Sequence, residues 1–344
     1  MNKKILVFGA AGFMGTYLIE ELLKQEYQVT ASDISTIGEE YYRNKNVQYI
    51  HVDITKVNDF RKLESESFDV VVHLAATQPA NVSEKNYDPK DYINVNVNGT
   101  LNILEFCREK DIKKIIYATS HRNTQGLWVN GNAIKESDGR SVKYSGQYSM
   151  FSISETAAQD CVLHYQEQYG LTGIILRLPP VYGYGPHTEI FMNGKQIKTG
   201  FQIFIENALA CKPIEIWGDC NKGRDIIYIK DVITAFIKAI STEGVSGLFN
   251  ITSGRSLTLK EEAETIAKVF WGNDGSPIII ERPEKENHID AFVYDISKAH
   301  KELNWHPKYN FEDMLIDYKK EEENKKFKFL VEKRQKMFED TNFE

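Results

Sequence analysis

The stretch Lys4–Asp33, KILVFGAAGFMGTYLIEELLKQEYQVTASD, has the order of a strand, a glycine-rich turn, a helix and a second strand. Residues 5–8 form a short, wholly apolar run, which is typical of a strand buried on both faces of a parallel sheet. Gly9, Gly12 and Gly15 follow at once. A pyrophosphate must approach the backbone of such a turn closely and lie on the amino end of the next helix, where free N–H groups favour negative charge. The stretch therefore predicts a dinucleotide site.

Asp33 ends the second strand, roughly twenty residues after the glycines. An acidic residue at this point is placed to accept hydrogen bonds from the ribose 2′-hydroxyl of NAD, and it would repel the 2′-phosphate of NADP. Isolated glycine patterns are often plain turns, but here the strand, the helix and the acid occur in the required order. NAD is therefore the expected cofactor.

Composition limits the class of protein. The chain has 344 residues, 42% of them hydrophobic, and a formal net charge of −7, which gives no broad basic surface for nucleic acid or for an anionic membrane. No apolar run reaches membrane-spanning length. Cys107, Cys161, Cys211 and Cys220 lie far apart, without the spacing of a metal site or a redox motif. We expect a cytoplasmic protein that binds no metal, no nucleic acid and no membrane.

Strands and helices alternate across residues 1–178, which predicts a doubly wound parallel α/β sheet of the Rossmann type that binds NAD. From Pro179 the segment PPVYGYGPHTE is rich in glycine, proline and aromatic residues, and shorter elements follow. We therefore expect a smaller, partly interleaved substrate domain over 179–344, with ligand in the cleft between the two. After the first two strands, the remaining elements expected up to 178 are strands over 47–51, 69–76, 114–119 and 173–178, and helices over 91–110 and 147–168.

The second half predicts shorter elements. Asp231 is expected to cap a helix, and the charged tail over 321–340, with its interspersed phenylalanines, is expected to form a helix on the surface of the domain. The other elements expected are strands near 214–219, 223–229, 248–251 and 277–282, and helices near 258–270, 297–303 and 311–320.

Several motifs together carry a family resemblance. VFGAAGFMG, HLAA at 73–76, NVNGT at 96–100, GRDIIYIKDV at 223–232, NITSGRSLTL at 250–259 and YDISKAHKELNWHPKYNFED at 294–313 resemble the motifs of the extended short-chain dehydrogenase/reductases. The resemblance covers nearly the whole chain and is strongest to the nucleotide-sugar epimerases and 4,6-dehydratases. It implies an NAD-dependent enzyme of carbohydrate biosynthesis that acts on a nucleotide sugar.

The resemblance also implies a homodimer that pairs through the helices at 91–110 and 147–168. Apolar residues on these helices exceed what one contact with a sheet requires. They are Ile103, Leu104, Phe106, Cys107, Ala157, Ala158, Cys161, Val162 and Tyr165.

Binding residues follow from the same motifs. Arg224 is expected to bind the diphosphate through its fork of donors, although a salt bridge to a carboxylate such as Asp225 is an alternative. Asp53 is either the contact to the adenine amino group or a cap for the following helix. The other cofactor-binding candidates are Gly9, Gly12, Phe13, Met14, Gly15, Asp33, Ile54, Leu74, Ala75, Ala76, Asn96, Thr119, Glu155 and Pro179. The other substrate-binding candidates are Thr77, Pro180, His187, Trp217 and Arg282.

The catalytic motif departs from the family. Members use a Ser or Thr, a Tyr that carries the hydroxyl proton, and a Lys four residues later that lowers the pKa of that Tyr. The segment Phe151–Ala158, FSISETAA, aligns best with the Tyr-to-Lys segment, so Phe151 replaces the tyrosine and Glu155 the lysine. The Phe-Asn pair that follows the sixth strand in the family is Pro179-Pro180 here.

Three residues remain as candidates for proton transfer. Tyr148 lies one helical turn before Phe151 and so on a similar face, although the residue four positions on is Ser152. Ser120 and His121 end the strand that carries the Ser or Thr in the family, and a histidine titrates near neutrality. Plain packing of Tyr148 and plain hydrogen bonding of His121 are the alternatives. Glu155 could instead accept hydrogen bonds from the nicotinamide ribose.

Two functions of different class follow. The first is an enzyme that epimerises or dehydrates a nucleotide sugar with displaced acid and base groups. The second is a pseudoenzyme that binds NAD and a nucleotide sugar as a scaffold or sensor. A third possible function is non-redox chemistry on a nucleotide sugar.

Overall fold

The computed structural model describes residues 3–333 except 44, 46, 84, 85, 186–188, 193, 194, 274 and 288. Its first half has six strands, each close to the range expected from the sequence. The first strand is fully buried from Ile5 to Phe8, as its uniformly apolar run predicts. The strands are β1 (Lys4–Phe8), β2 (Gln28–Asp33), β3 (Gln48–His51), β4 (Val70–His73), β5 (Lys114–Ser120) and β6 (Thr172–Leu178).

Helices connect these strands. The predicted helix over 91–110 is present but not uniform, because a π-helical stretch, Tyr92–Gly99, forms its first half. The predicted helix over 147–168 begins two residues later, with Tyr148 as the flanking residue at its amino end. The helices are α1 (Phe13–Lys24), α2 (Thr36–Arg43), the single turn α3 (Pro89–Asp91), α4 (Thr100–Glu109) and α5 (Ser149–Tyr169).

The second half of the chain builds smaller sheets and further helices. The elements are β7 (Val181–Tyr182), β8 (Glu189–Met192), β9 (Lys195–Lys198), α6 (Gly200–Leu209), β10 (Ile214–Trp217), β11 (Gly223–Asp225), β12 (Ile227–Tyr228), α7 (Ile229–Ser241), β13 (Gly247–Asn250), β14 (Ser256–Thr258), α8 (Leu259–Phe270), β15 (Ile279–Arg282), α9 (Ser297–Leu303) and α10 (Phe311–Glu323). β7 pairs with β12 and β10 with β15 in parallel, whereas β8 pairs with β9 and β11 with β14 antiparallel.

β13 returns to the central sheet and pairs in parallel with β6, so that the order of the seven parallel strands is β13-β6-β5-β4-β1-β2-β3. The chain reverses direction across the sheet between β1 and β4, which is the point where doubly wound sheets bind ligands. This confirms the predicted fold class. Because a strand from beyond residue 178 completes the sheet, the two halves of the chain interleave.

Hydrophobic clusters lie on both faces of the sheet. Ile5 and Val7 of β1 pack with α1 and α7 on one face, whereas Leu6 and Phe8 pack with α4 and α5 on the other. Successive side chains of a strand point to opposite faces, so burial on both sides requires the continuous apolar runs seen in the sequence.

Asp231 does not cap α7, which corrects one expectation. The helix begins at Ile229, and Asp231 lies inside its first turn. Its carboxylate accepts hydrogen bonds from the amides of Lys308 (2.8 Å) and Tyr309 (3.1 Å). Asp231 therefore fixes the segment that leads into α10.

The described part of the C-terminal tail packs against the start of the chain. Phe327 and Leu330 are buried, and the Phe327 ring lies 4.9 Å from that of Tyr17 on α1. The Tyr17 hydroxyl also donates a hydrogen bond to Glu321. The tail is thus integrated with the nucleotide-binding half more closely than a helix lying on the surface. Along the described residues, no helix combines the length and apolarity needed to cross a bilayer.

Candidate active site

A large cleft opens at the carboxyl ends of the central strands and is closed on its other side by the second half of the chain. Its volume is about 1450 Å³, which exceeds the roughly 300–1,000 Å³ of a site for one small ligand. The cleft therefore has room for a dinucleotide and a second ligand. The predicted site residues that line it are Gly9, Gly12, Phe13, Met14, Gly15, Asp33, Asp53, Ile54, Leu74, Ala75, Ala76, Thr77, Thr119, Ser120, His121, Tyr148, Glu155, Pro179, Pro180, Trp217 and Arg224.

The glycine turn forms one end of the cleft. Gly9 has a φ of +82°, and a Cβ atom there would lie 2.7 Å from the amide nitrogen of Ala75. A Cβ atom at Gly15 would lie 2.3 Å from the carbonyl oxygen of Gly9. Gly12 precedes α1 and supplies no side-chain cap to it. Glycine thus lets the turn pack closely against the end of β4 and against α1, which places the turn at the amino end of a helix, where a pyrophosphate binds.

Asp33 lies at the edge of this end of the cleft. Its Oδ2 accepts a hydrogen bond from the amide of Ala11 (2.9 Å), and its Oδ1 accepts one from the amide of Ser35 (2.9 Å). These two amides fix the carboxylate beside the glycine turn, and a carboxylate acts only as a hydrogen-bond acceptor. The residue is therefore oriented to accept hydrogen bonds from a ribose.

Asp53 also lines the cleft. Its Oδ1 accepts hydrogen bonds from the amide (3.0 Å) and the hydroxyl (2.7 Å) of Thr55. The next helical segment, Val57–Leu63, is a 3₁₀ helix preceded by Lys56, and it receives no cap from Asp53. Asp53 therefore does not cap a helix, and the contact to the adenine amino group remains a prediction.

Asn96 lies behind the wall of the cleft rather than on it. Its side chain is buried, accepts a hydrogen bond from the amide of Thr77 (2.7 Å) and donates to the Ser154 hydroxyl (2.9 Å). Asn96 therefore fixes the segment after β4 against α5. Its influence on a ligand would pass through Thr77.

Tyr148 lies in the cleft, and a cation is stacked on it. The guanidinium carbon of Arg122 is 3.7 Å from the centre of the Tyr148 ring. Phe151, one turn further on, is buried and also lines the cleft. The Ser152 hydroxyl donates to the carbonyl of Tyr148 (2.9 Å) and so faces the helix backbone. The positive charge beside Tyr148 comes from Arg122, not from the position four residues on.

His121 is held as a neutral ring. Its Nδ1 lies 3.1 Å from the carbonyl oxygen of Leu178, which requires a proton on Nδ1. The ring stacks on Trp128 at 5.4 Å and contacts Phe292 at 5.2 Å. Burial, with the positive charge of Arg122, lowers the pKa of His121 well below its usual value. Protonation of Nε2 is therefore disfavoured at neutral pH.

Glu155 is a buried carboxyl group on the wall of the cleft. Its side chain is 3% exposed, and burial raises its pKa to about 7. The hydroxyl of Tyr117 donates a hydrogen bond to its Oε2 at 3.2 Å. The group therefore releases its proton less readily than an exposed glutamate does.

Arg224 enters the cleft from the second half of the chain. Its Nη2 donates to the hydroxyl of Tyr182 at 2.7 Å, and that hydroxyl donates to Glu262 at 3.2 Å. Its Nε is buried and has no hydrogen-bond partner among the described residues. Asp225 instead accepts from the amide and hydroxyl of Ser253, at 2.9 and 2.7 Å, so the alternative salt bridge to Asp225 is not formed.

The remaining substrate candidates have different positions. Trp217 is 50% exposed at the edge of the cleft, with Lys285 4.4 Å from its ring centre. Arg282 does not line the cleft, because its Nε pairs with Glu215 at 3.2 Å. His187 lies outside the described residues.

Arg122, Tyr182 and Glu262 are among the further residues that line the cleft and that the sequence did not single out. Arg122 directly follows His121, and Tyr182 lies in the PPVYGYG segment, so both were adjacent to recognised signals. Glu262 had no such signal, because an acidic residue in the first turn of a helix is ordinary.

The chain's own residues fit NAD. The glycine turn packs backbone against backbone at Gly9 and Gly15 at the amino end of α1, and Asp33 is fixed beside it as an acceptor. When bound, NAD supplies reversible hydride acceptance from a carbon atom of the substrate.

Comparison with known proteins agrees with this geometry. Residues 5–252 match the profile of the NAD dependent epimerase/dehydratase family. The chain is 28% identical over 316 residues to a dTDP-4-dehydro-6-deoxyglucose reductase from Escherichia coli, a match that covers 90% of this chain and 94% of the other.

Two solved structures share the fold over nearly their whole length. One is UDP-glucose 4-epimerase from Thermotoga maritima with UDP-glucose, with a TM-score of 0.76, 25% identity and coverage of 93% of this chain and 99% of that one. The other is UDP-glucose 4-epimerase from Thermus thermophilus in complex with NAD, with a TM-score of 0.71, 26% identity and coverage of 92% and 97%.

Proposed function

The chain belongs to the NAD dependent epimerase/dehydratase family and uses NAD, and on that premise we propose that it epimerises or dehydrates a nucleotide sugar. The observation that carries this proposal is the buried, unpartnered Nε of Arg224 in the same cleft as the glycine turn. A desolvated guanidinium donor requires an acceptor, and a diphosphate supplies one. The cleft has the volume for this second ligand beside the cofactor.

In this proposal the two ends of the cleft have different tasks. The glycine turn and Asp33 bind the cofactor, and Arg224 binds the diphosphate of the substrate. Tyr182 and Glu262 hold the guanidinium of Arg224 in place through their chain of hydrogen bonds. Trp217 offers an exposed indole face on which a nucleobase can stack.

We assign the proton transfer to Tyr148, with the Ser120 hydroxyl as a second donor on the substrate. Both residues line the cleft, and Tyr148 is half-buried there with no hydrogen bond from a described residue to its hydroxyl. His121 is the weaker candidate, because its lowered pKa opposes protonation at neutral pH. A positioned acid or base of this kind typically contributes about 10²–10⁴-fold to rate.

The test is incubation of the protein with NAD and a panel of nucleotide sugars, followed by mass and NMR analysis of the products. We expect turnover, and we expect Tyr148→Phe to lower it by about 10²-fold or more. Tyr144→Phe is the matched control, because Tyr144 is 83% exposed and does not line the cleft. Turnover unaffected by Tyr148→Phe but lost in His121→Ala would move the role to histidine.

A catalytically impaired protein that binds the same ligands is the second candidate. Phe151 and Glu155 both line the cleft at the positions that align with the family's tyrosine and lysine. If nothing in the panel turns over while UDP-sugars bind and Arg224→Ala weakens that binding, this reading replaces the first. Restoration of turnover by Phe151→Tyr with Glu155→Lys would then support the alignment.

We further propose a homodimer in the cytoplasm. Unpaired thiols at all four cysteines, each within the described residues, support a reducing compartment. For the dimer, the helices offer less exposed apolar surface than the sequence suggested. Seven of the nine apolar residues named on them are buried within one chain. Support rests on the two that are not fully buried, Ala157 and Cys161, and on the family. Light scattering should report a dimer at micromolar concentration; a monomer there would contradict it.

A further inference from the structure

Arg122 has an unusual environment. Its guanidinium lies over the ring of Tyr148, with 3.7 Å from its carbon to the ring centre, and 5.7 Å from the ring centre of Trp128. Its side chain is half-buried and lines the cleft. No described residue forms a hydrogen bond or an ion pair with the guanidinium of Arg122. The backbone amide of Arg122 donates a hydrogen bond to the Ser120 hydroxyl. Five N–H donors are thus held on an aromatic platform without an acceptor.

The charges around Arg122 do not neutralise it. Asp290 also lines the cleft and attracts the guanidinium from beyond ion-pair distance, and Arg224 repels it. Burial lowers the pKa of Arg122, which shows that its surroundings penalise the charge, yet arginine stays protonated at neutral pH. A desolvated cation without a counter-ion is costly, so the cleft is arranged for an anion on the ligand.

The position of Arg122 indicates which anion this is. Arg224 already faces the diphosphate in the proposed function, whereas Arg122 lies two residues after Ser120 and against Tyr148, the groups assigned to the sugar. We propose that Arg122 binds a carboxylate on the sugar itself, so that the substrate is a nucleotide-activated glycuronic acid. This inference rests on the proposed function and names its substrate class. The planar fork of the guanidinium matches the two oxygens of a carboxylate.

The experiment is calorimetric titration of the NAD-loaded protein with UDP, UDP-glucose and UDP-glucuronate. The two sugars differ only in the hydroxymethyl or carboxylate group at C6. The wild type should bind UDP-glucuronate about 10- to 100-fold more tightly than UDP-glucose, as expected for a charge-assisted hydrogen bond pair. Arg122→Met should abolish this preference while it leaves the affinity for UDP-glucose within about twofold.

Control variants separate the possible outcomes. Arg43→Met removes an arginine on α2 that is 69% exposed and pairs with Glu39, and it should change neither affinity. Arg224→Ala should weaken all three ligands alike. Thermal unfolding of each variant confirms that the protein remains folded, and Arg122→Lys, which keeps the charge but loses the fork, should retain part of the preference.

Each contrary result has a distinct meaning. Equal binding of the two sugars by the wild type, or tighter binding of UDP-glucose, would overturn the carboxylate assignment and leave the proposed function standing. An equal loss of affinity for UDP and both sugars in Arg122→Met would show that Arg122 binds the diphosphate. That result would also overturn the carboxylate assignment. Failure of the wild type to bind any of the three, together with failure to bind or turn over any nucleotide sugar of the panel, would overturn the proposed function together with this inference.

Discussion

At the scale of single residues, Asp33 decides between the two nicotinamide dinucleotides. Its carboxylate is fixed by the amides of Ala11 and Ser35, so it cannot turn away from a 2′-phosphate without losing both bonds. We expect NAD to bind at least about tenfold more tightly than NADP, because juxtaposed like charges cost several kcal/mol. Calorimetric titration with both cofactors measures the ratio.

Asp33→Asn should reduce that ratio by removing the charge while it keeps the shape of the side chain. Asp111→Asn, which removes an exposed carboxylate paired with Lys113, is the control and should leave the ratio unchanged. Equal or tighter binding of NADP by the wild type would show that Asp33 does not contact the ribose 2′-hydroxyl.

Glu155 predicts a dependence of stability on pH. Its pKa in the folded protein is raised from 4.5 to about 7, so between these values the folded state binds more protons than the unfolded state. The contribution of Glu155 to stability is therefore present at pH 4.5 and is lost as the pH rises through 7. Glu155→Gln mimics the protonated form and should remove this loss.

Urea unfolding at pH 5 and pH 8 checks this expectation. The free energy of unfolding of Glu155→Gln relative to the wild type should rise by up to roughly 3 kcal/mol between the two values. Glu167→Gln, at an exposed position on the same helix, should show no such change. A difference that does not vary with pH would show that Glu155 is ionised throughout.

At the scale of elements, the glycine turn and α1 form one unit. A Cβ atom at Gly15 would lie 2.3 Å from the Gly9 carbonyl oxygen and 2.8 Å from the Cα of Ala10, both backbone atoms that cannot rotate away. We expect Gly15→Ala to lower the free energy of unfolding by about 1–3 kcal/mol and to weaken NAD binding by at least about tenfold, because the helix must shift from the turn.

Gly200→Ala is the matched control for stability. Gly200, like Gly15, lies in the first turn of a helix, but a Cβ atom there meets nothing within 4 Å. Denaturant unfolding and NAD titration of both variants separate the clash from the general effect of replacing glycine. If Gly15→Ala were as stable as the wild type, α1 would lie further from the turn than these distances indicate.

At the scale of the whole molecule, the tail links the last helix to the first. Phe327 packs on Tyr17, whose hydroxyl donates to Glu321 and lies 2.7 Å from the carbonyl oxygen of Tyr184. Phe327→Ala should lower the free energy of unfolding by about 2–4 kcal/mol, because it removes a buried aromatic ring. The exposed Lys328→Ala, one residue on, should have an effect within about 0.5 kcal/mol. Thermal or urea unfolding compares the two.

Most of the fold was predictable because its signals are local. β1, the glycine turn and Asp33 are contiguous, and each buried strand carries its own apolar run. The return of β13 to the edge of the sheet was not predictable, because a strand of four residues, Gly247–Asn250, carries no mark of its partner. Asp231 was assigned to a cap for the same reason, since its partners at Lys308 and Tyr309 are distant in sequence.

The site divides in the same way. The glycine turn and Asp33 come from one continuous motif, and they line the cleft together with the other cofactor-binding candidates, apart from Asn96 behind the wall. The substrate end is assembled from separate segments, and Arg122 is recognisable only once Tyr148 is seen beneath it. Arg282 was expected there, but Glu215 on the neighbouring strand pairs with it instead.

The pairing of β13 with β6 has a consequence during synthesis. The outer edge of β6 stays without a partner until residues beyond 250 have left the ribosome, about seventy positions after β6 itself is complete. An exposed, apolar strand edge recruits other nascent chains. The nucleotide-binding half of this protein therefore cannot finish folding ahead of the second half, and a nascent chain of intermediate length is the species that most needs a chaperone.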